Sequence, residues 1–290
     1  MSLFFSILYS FSLYLLLSYS FYLIYSIVKN LYITHAMSIT MGGYITYFFC
    51  TQLSFPFGLS SFLSIFLSIL ISLAINQFIF KPILNLKIKS WQIMVASLGL
   101  YIVLQNIVSI IWGDNITSLR TWEIKVGYKF MEAYITDVQI ITIIVSVTLL
   151  ALCWIFLEKT NTGQQIKAVS SNSELSGIFG ISKNNAIVWS FVLATGLAAC
   201  AGILIAADTD MTPTMGFNWL LYAVVAMIIG GMGKMRYLLL GPLLLATAQH
   251  LSAYYLDSKW MNATAYIILI AFLYFRPYGF SGKRIKKAEI

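Results

Sequence analysis

Apolar residues fill this chain in long unbroken runs rather than alternating with polar ones at helix or strand spacing. No Asp, Glu, Lys or Arg occurs from Met1 to Val28, and after Lys29 none occurs before Lys81. Roughly 20 helical residues cross the hydrocarbon core of a bilayer, so this region must cross more than once. Further charge-free windows run from Ser90 to Gly113, Val138 to Leu157, Asn184 to Ala207, Met211 to Gly233, Tyr237 to Leu256 and Trp260 to Phe275. Splitting the N-terminal region near Lys29 and at the turn Ser54-Phe-Pro-Phe-Gly58 adds three segments. The pattern predicts an all-α polytopic membrane helix bundle: one transmembrane domain over 1–290 with nine spans, or eight if the short Lys29-Asn30 link does not separate two helices. The last window is short, but Lys259 and Arg276 can snorkel from its ends.

Composition supports the same class. Hydrophobic residues make up 60% of the 290 positions and charged residues only 10%, against about a quarter charged in ordinary soluble domains. The first apolar run lacks a basic n-region and a small-residue cleavage site, so it is expected to stay in the mature protein. Cys50, Cys153 and Cys200 fall in or beside predicted spans without metal-like spacing and read as small buried residues.

Charge also assigns sides. If nine spans alternate, fourteen of the 18 Lys and Arg residues share one set of loops, among them Lys29, Lys81, Lys89, Lys159, Lys167 and Lys183. The opposite loops hold Arg120, Lys125, Lys129 and Lys259 with most of the acids, including Asp114, Asp208, Asp210 and Asp257. The positive-inside rule then puts the N-terminus outside, and places the loop 158–186 and a basic tail over 276–290 in the cytoplasm. The net charge of +8 is accounted for by attraction to anionic membrane lipid. Nucleic acid would want a folded basic module, and none is present.

Ionisable groups inside the spans are nearly absent, whereas ion-coupled carriers often rely on them. His35 and His250 are the exceptions, and a hydrogen-bonded packing role is the simpler reading for each. Small residues are abundant instead, in Met41-Gly-Gly-Tyr44, Ala194-Thr-Gly-Leu-Ala-Ala-Cys-Ala-Gly202 and Ile229-Gly-Gly-Met-Gly233. They suit close helix packing. Ser38, Thr40, Gly42 and Gly43 alternatively permit a broken helix lining a cavity. The candidate path-lining residues are His35, Ser38, Gly42, Gly43, Gln105 and Asn106. No metal set, nucleophile elbow or Walker A loop occurs, so the chain reads as a non-enzyme, and any ATP must be bound by another chain.

One polar island interrupts the oil, Glu158 to Ala186. Its apolar Ile166, Val169 and Leu175 predict a short helix over Thr162–Ser176, broken by Gly177-Ile-Phe-Gly180. A connection this long between spans wants a partner.

The stretch GQQIKAVSSNSELSGIFGISKNNAIVWSFVLATGLAACAGIL resembles the cytoplasmic loop and following span of permease subunits in Liv-type branched-chain amino acid ABC transporters. THAMSITMGGY, FKPI, ASLGLYIVLQNIVSIIWG, IIGGMG and FRPYGFSG follow in the family's order, covering nearly the whole chain. Lys167 stands where the family has Arg, and Ser38 where it has an acid-containing segment. The resemblance implies a bacterial inner-membrane importer permease of branched-chain or similar small amino acids. Its partners would be cytoplasmic ATP-binding subunits, a second permease subunit in a homo- or heterodimer, and an extracytoplasmic substrate-binding protein. The permease would bind no cofactor directly, ATP being used by the partner subunits. The resemblance makes Gly163 to Gly180 the ATPase-coupling element, with Gln165, Lys167, Ala168, Asn172, Glu174 and Gly180 as contact candidates. A facilitator or secondary carrier of a small neutral solute such as urea or an amide, working without an ATPase, is the alternative. A membrane enzyme would have to use Asp208, Asp210 and Asp257, which read more simply as solvated loop acids.

Overall fold

The computed structural model describes residues 2–85, 89–120, 127–130, 133–231, 235–276 and 279–280. Nearly all of the expected basic tail lies outside them. Helices dominate. They are α1 (Ser2–Val28), α2 (Ala36–Tyr47), α3 (Phe57–Ile75), α4 (Lys81–Asn85), α5 (Ser90–Trp112), α6 (Asp137–Lys159), α7 (Asn161–Ser171), α8 (Ser173–Ile178), α9 (Lys183–Asp208), α10 (Met215–Gly230), α11 (Leu240–Tyr255) and α12 (Trp260–Phe275). A 3-10 turn, Ile33–His35, leads into α2, and π-helical turns Phe48–Gln52 and Asn76–Phe80 extend α2 and join α3 to α4. The one exception to an all-helical fold among the described residues is a small antiparallel ribbon, β1 (Tyr128–Phe130) and β2 (Ala133–Ile135), with Tyr128 opposite Ile135.

Among the described residues, five helical stretches are long and apolar enough to cross a bilayer: Leu3–Val28, Phe57–Leu84, Ser90–Trp112, Asp137–Lys159 and Lys183–Asp208. The remaining charge-free windows form shorter helices. The window opening at Met211 begins its helix only at Met215, because Met211 is held outside it: Thr117 and Met211 exchange both backbone hydrogen bonds, at 3.1 and 2.7 Å. The turn expected at Ser54–Gly58 is present, with Ser54 at φ 54° and Pro56 preceding the first turn of α3. The short Lys29-Asn30 link also separates two helices. It does so by placing Lys29 at φ 58°, a left-handed conformation that costs a non-glycine residue about 1–2 kcal/mol.

The inner face of α3 is chosen by small size and hydroxyl content rather than by oiliness. On α3, Ser60, Ser64, Ser68 and Ser72 are buried, while Phe62 and Phe66 are exposed. The spacing of four puts the serines on one face of the helix. The N-terminal half of α6 does the same, with Thr142 and Ser146 buried and Ile141, Ile144 and Val147 exposed, whereas α5 buries Ile93, Tyr101 and Val108 beside Ser97. A soluble bundle would do the reverse of α3. In lipid, apolar side chains face acyl chains at no cost, and the interior goes to residues that pack closely or hydrogen-bond.

The chain divides into two compact units, 1–22 with 122–149 and 219–286, and 23–121 with 150–218 and 287–290. In the first, α10, α11 and α12 build a core from Val225, Ala226, Ile229, Leu245, Ala246 and Ala265, joined by Tyr14 of α1. Ser10 Oγ lies 2.8 Å from His250 Nε2, so His250 is a bonded helix residue. In the second, α2, α3 and α9 pack against one another. Gly42 of α2 lies against the Ala199 carbonyl, and Gly202 of α9 against the Ile39 carbonyl, with no room for a Cβ at either. The two backbones therefore touch reciprocally.

Replacing Gly202 by Val should force α2 and α9 apart and cost about 1–3 kcal/mol by overpacking. Thermal unfolding in detergent should show a lowered midpoint for Gly202→Val. Gly99→Ala should leave the midpoint unchanged or raised, since Gly99 has open space around its Cα and alanine is the better helix former.

Candidate functional site

The polar island folds into two helices, not the single helix expected over Thr162–Ser176. Thr160 makes the first corner. Its hydroxyl donates to the Phe156 carbonyl at 2.6 Å, closing α6, and accepts from Gly163 N at 3.0 Å, capping α7. Gly163 is required there, because a Cβ would strike the Phe156 carbonyl and the Leu157 backbone. Ile166 and Val169 then face inward at 2% exposure each. Lys167 forms an ion pair with Glu158, tying α7 back to α6.

The break falls at Asn172. Its backbone is extended at φ −151°, ψ 104°, and its Oδ1 accepts from Glu174 N at 3.1 Å and Leu175 N at 3.0 Å. Asn is a strong N-cap, and here it starts a new helix in the middle of a stretch whose composition suits one. At the other end, Ile181 N donates to Ser176 O and Gly180 N to Gly177 O, both at 3.0 Å, with Gly180 at φ 77°. This double closure with a left-handed glycine is a Schellman ending.

The expected contact residues are thereby placed. Gln165 and Ala168 are half-buried on α7, Lys167 is engaged with Glu158, and Asn172 spends its side-chain oxygen on the cap. Glu174 and Gly180 are exposed. The sequence reading passed over Ile178 and Phe179, which it treated as part of a helix break. They are 81% and 77% exposed and, with Leu175 at 50%, form an apolar patch on α8. Two large apolar residues bracketed by glycines in a polar island were the available signal.

The candidate path residues do not converge on one cavity. A small cleft, with a cavity volume of about 10 Å³, is lined by Tyr32, Thr34, Ser38, Ser68 and Ser72 with Met37, Met41, Ile71 and Ile75. Ser38 is therefore cleft-lining. The Ser68 hydroxyl, also buried there, has no hydrogen-bond partner among the described residues, whereas Ser72 Oγ accepts from Thr195 Oγ1 at 2.8 Å. His35 is buried beside this entry to α2. Gly42 and Gly43 serve packing: Gly42 meets α9, and a Cβ on Gly43 would come within 2.9 Å of Met211 and Met215 side-chain atoms. Gln105 and Asn106 lie on α5, where Gln105 donates to Ser109 Oγ at 3.3 Å and Asn106 to the Ile102 carbonyl at 2.7 Å. The α3 serine ladder was missed, although its strict spacing of four is written in the sequence.

Two contacts join segments far apart in sequence within the second unit. Lys29 Nζ donates to the Ser170 carbonyl at 2.8 Å, so the end of α1 meets the end of α7. Burial lowers the Lys29 ammonium below the ordinary lysine pKa. Away from it in sequence, Arg120 Nη2 meets Asp210 Oδ1 at 2.8 Å beside the Thr117–Met211 bridge.

Removing the Asn172 cap should cost α8 about 1 kcal/mol. Hydrogen exchange at Glu174 to Ile178 should quicken in Asn172→Ala and return towards normal in Asn172→Asp, which caps equally well.

Comparison with known proteins now bears on this arrangement. The family model for the permease component of branched-chain amino acid transport systems matches residues 3–275. The LivH high-affinity branched-chain amino acid transport permease of Salmonella typhimurium is 24% identical over 286 residues, covering 94% of this chain and 92% of that protein. BraD of Pseudomonas aeruginosa, similarly described, is 25% identical over 288 residues with the same coverage. A solved structure, PsaBC from Streptococcus pneumoniae in complex with a Fab, shares the fold at a TM-score of 0.54 and 14% identity, covering 94% of this chain and 91% of that one. The chain belongs to the permease-component family of branched-chain amino acid transport systems, a transport family rather than an enzyme class.

Proposed function

We propose that this chain is a membrane subunit of an ATP-binding cassette importer that passes branched-chain or similar small apolar amino acids inward. The observation that carries this reading is the α8 patch. Leu175, Ile178 and Phe179 stand exposed between two capped ends, and an ordered helix that presents large apolar groups in a polar loop wants a partner surface. A cytoplasmic ATP-binding subunit is that partner. Gln165, Lys167, Ala168, Asn172, Glu174 and Gly180 would border the contact, and a second permease subunit and an extracytoplasmic binding protein would complete the importer.

Nine spans in the bacterial inner membrane, N-terminus outside and C-terminus cytoplasmic, fit this reading. The contacts support it: Lys29 and the α7 end, both in the basic set of loops, touch each other, as do Arg120 and Asp210 of the acidic set. The path would run past the hydroxyl-lined cleft at Ser38, Ser68 and Ser72, with His35 at the entry to α2, Gly42 and Gly43 farther along that helix, and Gln105 and Asn106 on α5 as further candidates. Substrate choice rests on the names of relatives such as LivH and BraD.

Purified in mild detergent from its native cells, the chain should carry an ATP-binding subunit with it. The double substitution Ile178→Ala, Phe179→Ala should reduce that co-purification at least tenfold, on the order of the loss of one interface hot spot. Undiminished recovery would remove α8 as the docking element. A chain that purifies alone and still carries solute would be a facilitator. For topology, a cysteine at the exposed position Ser171 should react with an impermeant reagent in inverted vesicles and not in intact cells. Labelling in intact cells would overturn the orientation.

A further inference from the structure

We propose that Lys29 is a positioning strut that carries motion of the α7–α8 loop into the entry of α2; this rests on the docking reading above. Three observations converge on it. First, its ammonium lies 2.8 Å from the Ser170 carbonyl, one of the four carbonyls at the end of α7 that have no partner within the helix. A cation at a helix C-terminus is favourably placed against its dipole. Second, Lys29 takes no carboxylate among the described residues, whereas Lys167 of the same loop pairs with Glu158. A bond to main chain reports where the helix end is, whatever side chains surround it. Third, the lysine holds a left-handed backbone at φ 58°, where glycine would be the comfortable residue. A backbone outlier at the residue whose side chain makes the long-range bond points to a role for that side chain.

The route onward is short. After Lys29 and the buried Asn30, Tyr32 is wedged between Phe80 and Phe191, with ring centroids at 4.4 and 5.2 Å. Ile33 N donates to Ser97 Oγ at 3.1 Å and Thr34 Oγ1 to the Ser97 carbonyl at 2.7 Å. Tyr32 and Thr34 line the hydroxyl cleft, and α2 begins two residues later at Ala36. α7 is fixed at its start by the Gly163 corner and farther along by the Glu158–Lys167 pair. The helix is thus held at both ends, and its α8 end is linked through Lys29 to the cleft.

The test uses the complete transporter, with its native ATP-binding subunit, in proteoliposomes. Lys29→Gly relieves the backbone strain while deleting the strut, Lys29→Met keeps the aliphatic stem, and Lys29→Arg keeps a donor. In the Gly and Met variants the ATP-binding subunit should still co-purify and hydrolyse ATP, while solute moved per ATP falls about fivefold, within the range for coupling residues. Lys29→Arg should retain most of the coupling. Wild-type stoichiometry in Lys29→Gly would overturn the strut. Loss of the ATP-binding subunit from both the Gly and Met variants would also overturn it, because Lys29 would then belong to the docking surface. A wild-type chain that retains no ATP-binding subunit would overturn the docking reading itself and the strut with it.

Discussion

Backbone contact between α2 and α9 is the constraint on which the second unit depends. Inside a bilayer, helices gain nothing from hiding oily faces, since lipid tails are as apolar as leucine. What remains is dispersion, which falls off steeply with separation, so closeness decides. Gly42 against Ala199 and Gly202 against Ile39 remove the side chains that would hold the helices apart. Gly216 meets the Ala36 carbonyl in the same way, at the first turn of α2. The glycines cannot be read as flexible hinges here, because each is pressed against main chain.

The other side of α2 is built differently. Ser64 Oγ donates to the Gly42 carbonyl at 2.8 Å, and Thr195 reaches Ser72 at the same distance, so hydroxyls bridge α3 to its neighbours. Ser68, between them on the ladder, has no partner among the described residues and lines the cleft. Hydrogen bonds among membrane helices contribute only about 0.6 kcal/mol on average. The α2–α3 contact is therefore the more readily rearranged of the two, and it is the one that encloses space.

Much of this is legible in the amino-acid sequence. The charge-free windows give helix limits to within a residue or two for α5, α6, α9 and α12, because a charge inside a span costs several kcal/mol and helix ends are where charges can stand. The close-packing glycines were visible as small-residue clusters. What could not be read was pairing at long range. Nothing local in the sequence says that Lys29 meets Ser170, 141 positions away, or that Thr117 bridges Met211. The break at Asn172 was missed for a different reason. Helix-compatible composition from Thr162 to Ser176 favoured continuity, but an Asn whose side chain can cap the next turn competes with the helix it would interrupt. The α8 patch was hidden by the same habit, since glycines on either side of Ile178 and Phe179 look like a helix stop and only incidentally like a display of two apolar side chains.

On the proposed reading, these features divide the labour within the second unit. A docking helix must be rigid to pass on a push, and α8 has a cap at one end and a Schellman closure at the other. It must also stand on something that does not yield, and α7 beneath it is anchored at the Thr160–Gly163 corner and by the Lys167–Glu158 pair. The receiving element should then move as one body, and α2 locked to α9 through reciprocal glycines has that property. Displacement is left to the contact with the weakest restoring force. That is the hydroxyl face between α2 and α3, where Ser68 has no bond to lose among the described residues, and where a solute or water could supply one in passing.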